Sequence, residues 1–117
     1  MKPSDIVPLR AARPVRLTRM GFGGAPLGNL YRKVAEEDAQ SALAAAWDAG
    51  IRLYDTAPQY GLGISERRIG EALARHGRRQ ATLSTKVGRL LVDCAPDEVT
   101  PFAFVDAPQK RVVYDYS

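Results

Sequence analysis

Cysteine and histidine each occur once among the 117 residues, as Cys94 and His76. A lone cysteine excludes an internal disulfide, which fits a reducing, cytoplasmic setting. Cys94 has no basic neighbour in Val92-Asp93-Cys94-Ala95-Pro96 and reads as an incidental thiol. His76 falls at the C-terminal end of a helical stretch, where a surface imidazole near the helix dipole is the simplest account. No zinc-finger spacing is present and no metal is expected. Long apolar runs are also missing. None approaches the ~20 residues of a membrane-spanning helix, so no membrane partner is expected. The opening Met1-Lys2-Pro3-Ser4-Asp5 lacks the hydrophobic segment of a secretory leader.

What remains is the composition of one ordinary globular domain, with 45% hydrophobic and 26% charged residues. The net charge is +4, which raises the question of nucleic acid. The basic residues are scattered as Arg10, Arg13, Arg16, Arg19, Arg67, Arg68, Arg75, Arg78 and Arg79. No helix-turn-helix or aromatic RNA-binding signature accompanies them. They are read as solvated faces without a nucleic-acid role, and a dinucleotide phosphate is the more economical partner for one or two of them.

Along the chain, residues 1–14 are proline-containing and predict an irregular arm or short hairpin. Residues 15–20 alternate and predict a strand. The strand leads into Gly21-Phe22-Gly23-Gly24-Ala25-Pro26-Leu27-Gly28, read as a glycine-rich turn. Residues 36–49 predict a helix: Glu36, Glu37 and Asp38 crowd its first turn, Ala39, Leu43, Ala46 and Trp47 share a face, and Gly50 stops it. A strand over 51–55 follows almost at once. A second helix is expected from Ser65, with Ser65 as N-cap and Ile64 and Ile69 as a hydrophobic staple. Gly77 ends it, and residues 81–85 predict a third strand. The order strand, helix, strand, helix, strand argues for an α/β fold with a parallel sheet. Beyond Leu91 the pattern breaks into a proline-rich loop over 93–108, with short strands expected at 102–105 and 110–116.

Asp55 and Lys86 end the second and third predicted strands, 31 residues apart in number, about one βαβ unit. Ligands of parallel α/β sheets sit at the carboxyl ends of the strands. Neighbouring strands lie ~4.8 Å apart, so the two side chains can meet as an ion pair. Tyr60 stands five positions past Asp55 on the following loop. A cation beside a phenol favours its phenolate, and a tyrosine so placed can exchange a proton with a carbonyl oxygen.

Asp55-Thr56-Ala57-Pro58-Gln59-Tyr60-Gly61, followed by Ser65-Glu66-Arg67-Arg68-Ile69-Gly70-Glu71-Ala72-Leu73, resembles the signature of the aldo-keto reductases. Ser84-Thr85-Lys86-Val87-Gly88 resembles the lysine motif of that family, and Gly21-Phe22-Gly23-Gly24 its first strand and turn. The wording is nearest the bacterial sugar dehydrogenases and pyridoxal dehydrogenases of the superfamily. The resemblance implies a (β/α)8 TIM barrel, of which residues 1–117 hold the N-terminal part, about three βα units. It implies NAD or NADP as cofactor and a small carbonyl or sugar substrate. Tyr60 resembles the general acid–base, Lys86 the group that tunes it and Asp55 the carboxylate that holds Lys86. Gly24, Ala25 and Asp55 resemble the positions nearest the cofactor. The histidine of the family's tetrad belongs to a fourth strand beyond Ser117, and His76 does not replace it. A three-strand portion leaves sheet edges open, so self-association, or continuation into a longer enzyme, is expected. Alone, the 117 residues are expected to be inactive. The segment 90–110 is the candidate for substrate choice.

Overall fold

The computed structural model describes residues 2–9, 15–100 and 102–117. The chain opens on a hairpin of β1 (Ile6–Pro8) against β2 (Arg16–Thr18), antiparallel, with Ile6 opposite Thr18. The strand expected over 15–20 is thus part of the hairpin arm. The first parallel strand is β3 (Gly21–Gly23), where the resemblance implied a first strand and where propensity alone expected a turn. Glycine hides a strand from propensity reasoning, yet here it serves close packing. A Cβ on Gly21 would lie 3.1 Å from the Leu53 side chain.

Helix α1 (Glu36–Asp48) has the expected acidic first turn and buries Ala39, Leu43 and Ala46. It delivers the chain to β4 (Leu53–Asp55). Helix α2 (Ile64–His76) then leads to β5 (Thr82–Ser84). The order in the sheet is β3-β4-β5, all parallel, with Gly23, Asp55 and Ser84 aligned across the three strands. Side chains alternate across a strand. Phe22, Tyr54 and Leu83 therefore face α1 and α2, in one cluster with Leu43, Ile69 and Leu73. Gly23, Asp55 and Ser84 face the other way, toward what would be the inside of a barrel. Trp47 packs only at the margin of the core. The Arg52 guanidinium lies 3.7 Å over its ring and the exposed His76 ring stacks at 5.3 Å.

Three expectations about α2 are corrected. Ser65 is not its N-cap: the cap position is Gly63, and the Ser65 hydroxyl donates instead to Gly24 O at 2.7 Å. Ile64 is consequently the first helical residue, not the residue before the cap, and no staple forms. Arg68 is not on a solvated face. It is 5% exposed, and its guanidinium donates to Leu27 O, Val34 O, Asn29 Oδ1 and Glu36 Oε2 at 2.8 to 3.2 Å. A buried guanidinium is tolerated where its donors find acceptors, and helical periodicity carries no information about such acceptors.

After β5 the chain enters a hairpin that sequence reasoning only half found. β6 (Arg89–Asp93) pairs antiparallel with β7 (Lys110–Tyr114), Arg89 opposite Tyr114. The loop between them folds back onto residues 29–31. The strand expected at 102–105 is reduced to one β-bridge, Leu30 with Phe104. β3 and β5 each pair on one side only among the described residues.

Candidate active site

Asp55 emerges at the end of β4 because the strand stops there: Thr56 N makes one more bond to Ser84 O, and the turn closed by Tyr60 N on Ala57 O follows. Beside it on β5, Ser84 donates its hydroxyl to Asp55 Oδ1 at 2.8 Å. Two residues on, Lys86 returns to the same rim. Its Nζ lies 2.9 Å from Asp55 Oδ1, 3.1 Å from Asp55 Oδ2 and 3.1 Å from Thr56 O. The hydrogen bond from Lys86 holds the Asp55 carboxyl below the usual carboxylate range. Partial burial opposes that shift and Ser84 adds to it. The pair is partly open, with 36% of the Lys86 and 43% of the Asp55 side chain exposed, so both are reachable from the barrel side.

The loop after β4 carries Tyr60, half-buried, with Lys86 Nζ 5.8 Å from its ring centroid. The loop is held by a close backbone approach. Gly61 adopts φ +70, and its backbone packs on Gly28; a Cβ on Gly28 would fall 2.6 Å from Gly61 N. No side chain fits between the two strands of backbone, and Gly61 also needs the left-handed region that glycine enters freely. Gly28→Ala is expected to push the Tyr60 loop outward and cost about 1–3 kcal/mol by overpacking. Urea denaturation measures this, and a loss below the error of the method would mean the approach is looser than described.

On the far side, Ser65 is fully buried. Its hydroxyl joins Gly24 O to Thr56 Oγ1, the latter at 2.8 Å. Gly24 N donates to Asp55 O at 2.8 Å, and a Cβ on Gly24 would lie 2.8 Å from that same oxygen. Gly24 is therefore packed against the protein, with Ala25 beginning the 3₁₀ turn Ala25–Gly28 behind it. The open backbone is at Gly23, where an added Cβ would meet nothing within 4 Å. Gly23 aligns with Asp55, so this space adjoins the ion pair.

The structure places Asp55 and Lys86 in contact, with the Tyr60 ring 5.8 Å from Lys86 Nζ, and sets Ser84, Thr56, Ser65 and Phe104 around them. The Phe104 ring lies 6.1 Å from that of Tyr60. Ser84 was legible, since a residue two before Lys86 on a strand faces the same way. Ser65 and Phe104 had no such signal. Among the described residues, no group of three or more His, Cys, Asp or Glu side chains is placed to hold a metal ion. No helix there is long and apolar enough to cross a membrane.

Known proteins share this arrangement of chain. The D-threo-aldose 1-dehydrogenase of a Pseudomonas species is 49% identical over 88 residues, covering 75% of this chain and 27% of the relative. The pyridoxal 4-dehydrogenase of Microbacterium luteolum is 41% identical over 110 residues, covering 86% and 32%. The solved glycerol dehydrogenase of Gluconobacter oxydans superposes with a TM-score of 0.59 at 30% identity, over 98% of this chain and 31% of that one. The holo form of an aldo-keto reductase from Bacillus halodurans gives 0.55 at 32% identity, over 64% and 23%. The chain therefore spans about a quarter to a third of the length of these relatives, and its three parallel strands with two helices are part of a (β/α)8 barrel. Residues 19–110 match the Aldo/keto reductase family, and with the shared sequence and fold this makes the chain a member of that family.

Proposed function

We propose that this chain is the N-terminal part of a cytoplasmic NAD(P)-dependent oxidoreductase that interconverts an alcohol or aldose with a carbonyl or lactone, as a sugar 1-dehydrogenase. The observation that carries the proposal is the partly open Asp55–Lys86 pair beneath the Tyr60 ring, beside the uncovered backbone of Gly23. A flat ring can approach a strand end most closely where a glycine leaves the space above it free, so Gly23 and Asp55 fit a nicotinamide. The cofactor, when bound, accepts the hydride. In oxidation the Tyr60 oxygen, as phenolate, takes the proton from the substrate hydroxyl as hydride leaves for the cofactor; in reduction the Tyr60 hydroxyl gives that proton to the carbonyl oxygen. Lys86 supplies positive charge beside the phenol. Asp55, with Ser84, keeps that ammonium at the rim. The aldose assignment rests on the likeness to the aldose dehydrogenase, and the residues that would separate NAD from NADP lie outside this chain.

A second reading is a catalytically incomplete barrel. It draws on β3 and β5, each unpaired on one side among the described residues, and on His76, which sits far along α2 from the rim. Two proteins decide between the readings: the complete barrel enzyme and residues 1–117 alone. The complete enzyme is expected to reduce NAD or NADP with an aldose of the fucose or galactose type. The short chain is expected to show no turnover and to self-associate in sedimentation. Absence of turnover in the complete enzyme with every aldose and small aldehyde tried would sink the first reading. Turnover by a monomeric 117-residue chain would sink the second.

A further inference from the structure

The loop between β6 and β7 is not free. Val105 N donates to Asn29 O at 3.0 Å, Asn29 Nδ2 donates to Val105 O at 3.0 Å, and Tyr31 N donates to Ala103 O at 2.8 Å. Asn29 is 3% exposed and holds φ +66, a conformation that asparagine adopts more readily than most residues. Its Oδ1 accepts from Val34 N at 3.1 Å and from the buried Arg68 at 3.2 Å. The loop is thereby held by backbone bonds from Tyr31 and to Asn29 O, and the Asn29 side chain links it further to a buried arginine of α2. Long structured loops over an active end are commonly functional.

The tie fixes one feature at the rim. Phe104, half-buried, lies with its ring 6.1 Å from that of Tyr60, and Phe102 meets it edge-on at 6.4 Å. Phe102 and Val105 remain 37% and 39% exposed, so the wall continues outward as apolar surface. The same Tyr60 ring also has Lys86 Nζ 5.8 Å from its centroid, and Lys86 is paired with Asp55. Small-molecule sites combine an apolar or aromatic lining with a few placed polar groups, and both stand near Tyr60 at this rim.

We propose that Phe104 determines substrate specificity, its ring packing on the C–H face of a cyclic sugar or similar ring while the reacting oxygen meets Tyr60, and that Asn29 is its positioning residue. The proposal deepens the oxidoreductase reading above and rests on it. A ring substrate gains from the wall, whereas a linear three-carbon aldehyde is too small to reach both Phe104 and Tyr60. The readout is the KM for a pyranose aldose divided by the KM for glyceraldehyde, each in the direction the complete enzyme turns over. Phe104→Ala is expected to raise that ratio about tenfold, the scale set by removing one apolar group from a pocket, and Phe104→Trp to restore most of it. Asn29→Gly keeps the positive φ and removes the side-chain hydrogen bonds. It is expected to raise the ratio similarly, and the double variant Asn29→Gly/Phe104→Ala to add little further, because the two act as one unit. Equal changes in both KM values on Phe104→Ala, or a wild-type ratio in Asn29→Gly, would overturn the proposal and leave the oxidoreductase reading standing. A wild-type enzyme without turnover on any aldose or aldehyde would remove both.

Discussion

Tyr60→Phe in the complete enzyme is expected to lower the rate of hydride transfer by about 10³-fold, within the range that positioned proton transfer contributes. The change deletes one oxygen. The ring keeps its packing with Phe104 and its place beside Lys86, and the Gly28–Gly61 contact that holds its loop is made by backbone alone. Cofactor affinity is therefore expected to stay within about twofold, since the open backbone at Gly23 and the Asp55–Lys86 pair are untouched. Single-turnover measurement of nicotinamide absorbance separates the two quantities. A hydride-transfer rate equal to wild type would remove Tyr60 from the proton-transfer role. A companion change, Asp55→Asn, leaves the Lys86 ammonium without its carboxylate. In the proposed roles Asp55 both holds Lys86 and lies beside the nicotinamide, so its change is expected to lower the rate and to weaken cofactor binding, unlike Tyr60→Phe.

The second large effect is structural. Arg68→Met should destabilise the fold by about 2–4 kcal/mol, because two backbone carbonyls, Leu27 O and Val34 O, lose their side-chain donor, while Asn29 Oδ1 keeps only its bond from Val34 N. Arg67, next in sequence and half exposed, pairs with Glu36 and Glu71 at the surface. Arg67→Met should cost less than about 1 kcal/mol, as exposed ion pairs do. Urea denaturation of both variants compares them, and equal losses would refute the distinction. The shared partner Glu36 gives the pH dependence. The hydrogen bond from Arg67 is the main cause that lowers its pKa from 4.5 to about 2; burial works against this, and Gln40 and Arg68 assist. A carboxyl whose folded pKa is depressed stabilises the fold above its unfolded value. That contribution is lost as pH falls from about 4.5 toward 2. Glu36→Gln should flatten the fall in stability across that window, by an amount trimmed by solvent because 41% of the side chain is exposed. An unchanged slope would mean that other carboxyls govern the acid limb.

Several features were open to sequence reasoning because they are local. The acidic first turn and apolar face of α1, Gly77 closing α2, and the one-unit spacing from Asp55 to Lys86 each depend on residues close in the chain or on one repeat of the βα rhythm. Periodicity placed β3 in a turn, although the family resemblance put the first strand there, because two of its three residues are glycines, whose use here is the contact with Leu53 and not a strand preference. Ser65 has the composition of an N-cap and stands where one is expected. It is diverted by Gly24 and Thr56, which arrive from 41 and 9 positions away. β6 was lost because its partner β7 lies beyond a long proline-containing loop, and pairing across such a gap leaves no periodic trace.

By itself, the order of residues determined the α/β alternation, the family resemblance and the three polar groups at the strand ends, since these follow from spacing and from side-chain chemistry. Tertiary structure alone decided that Arg68 is buried, that the open backbone is at Gly23 while Gly24 is packed, and that Phe104 is brought beside Tyr60. Each of these depends on groups distant in sequence meeting in space. Burial, hydrogen-bond satisfaction and close packing are properties of that meeting, and no short stretch of chain contains them.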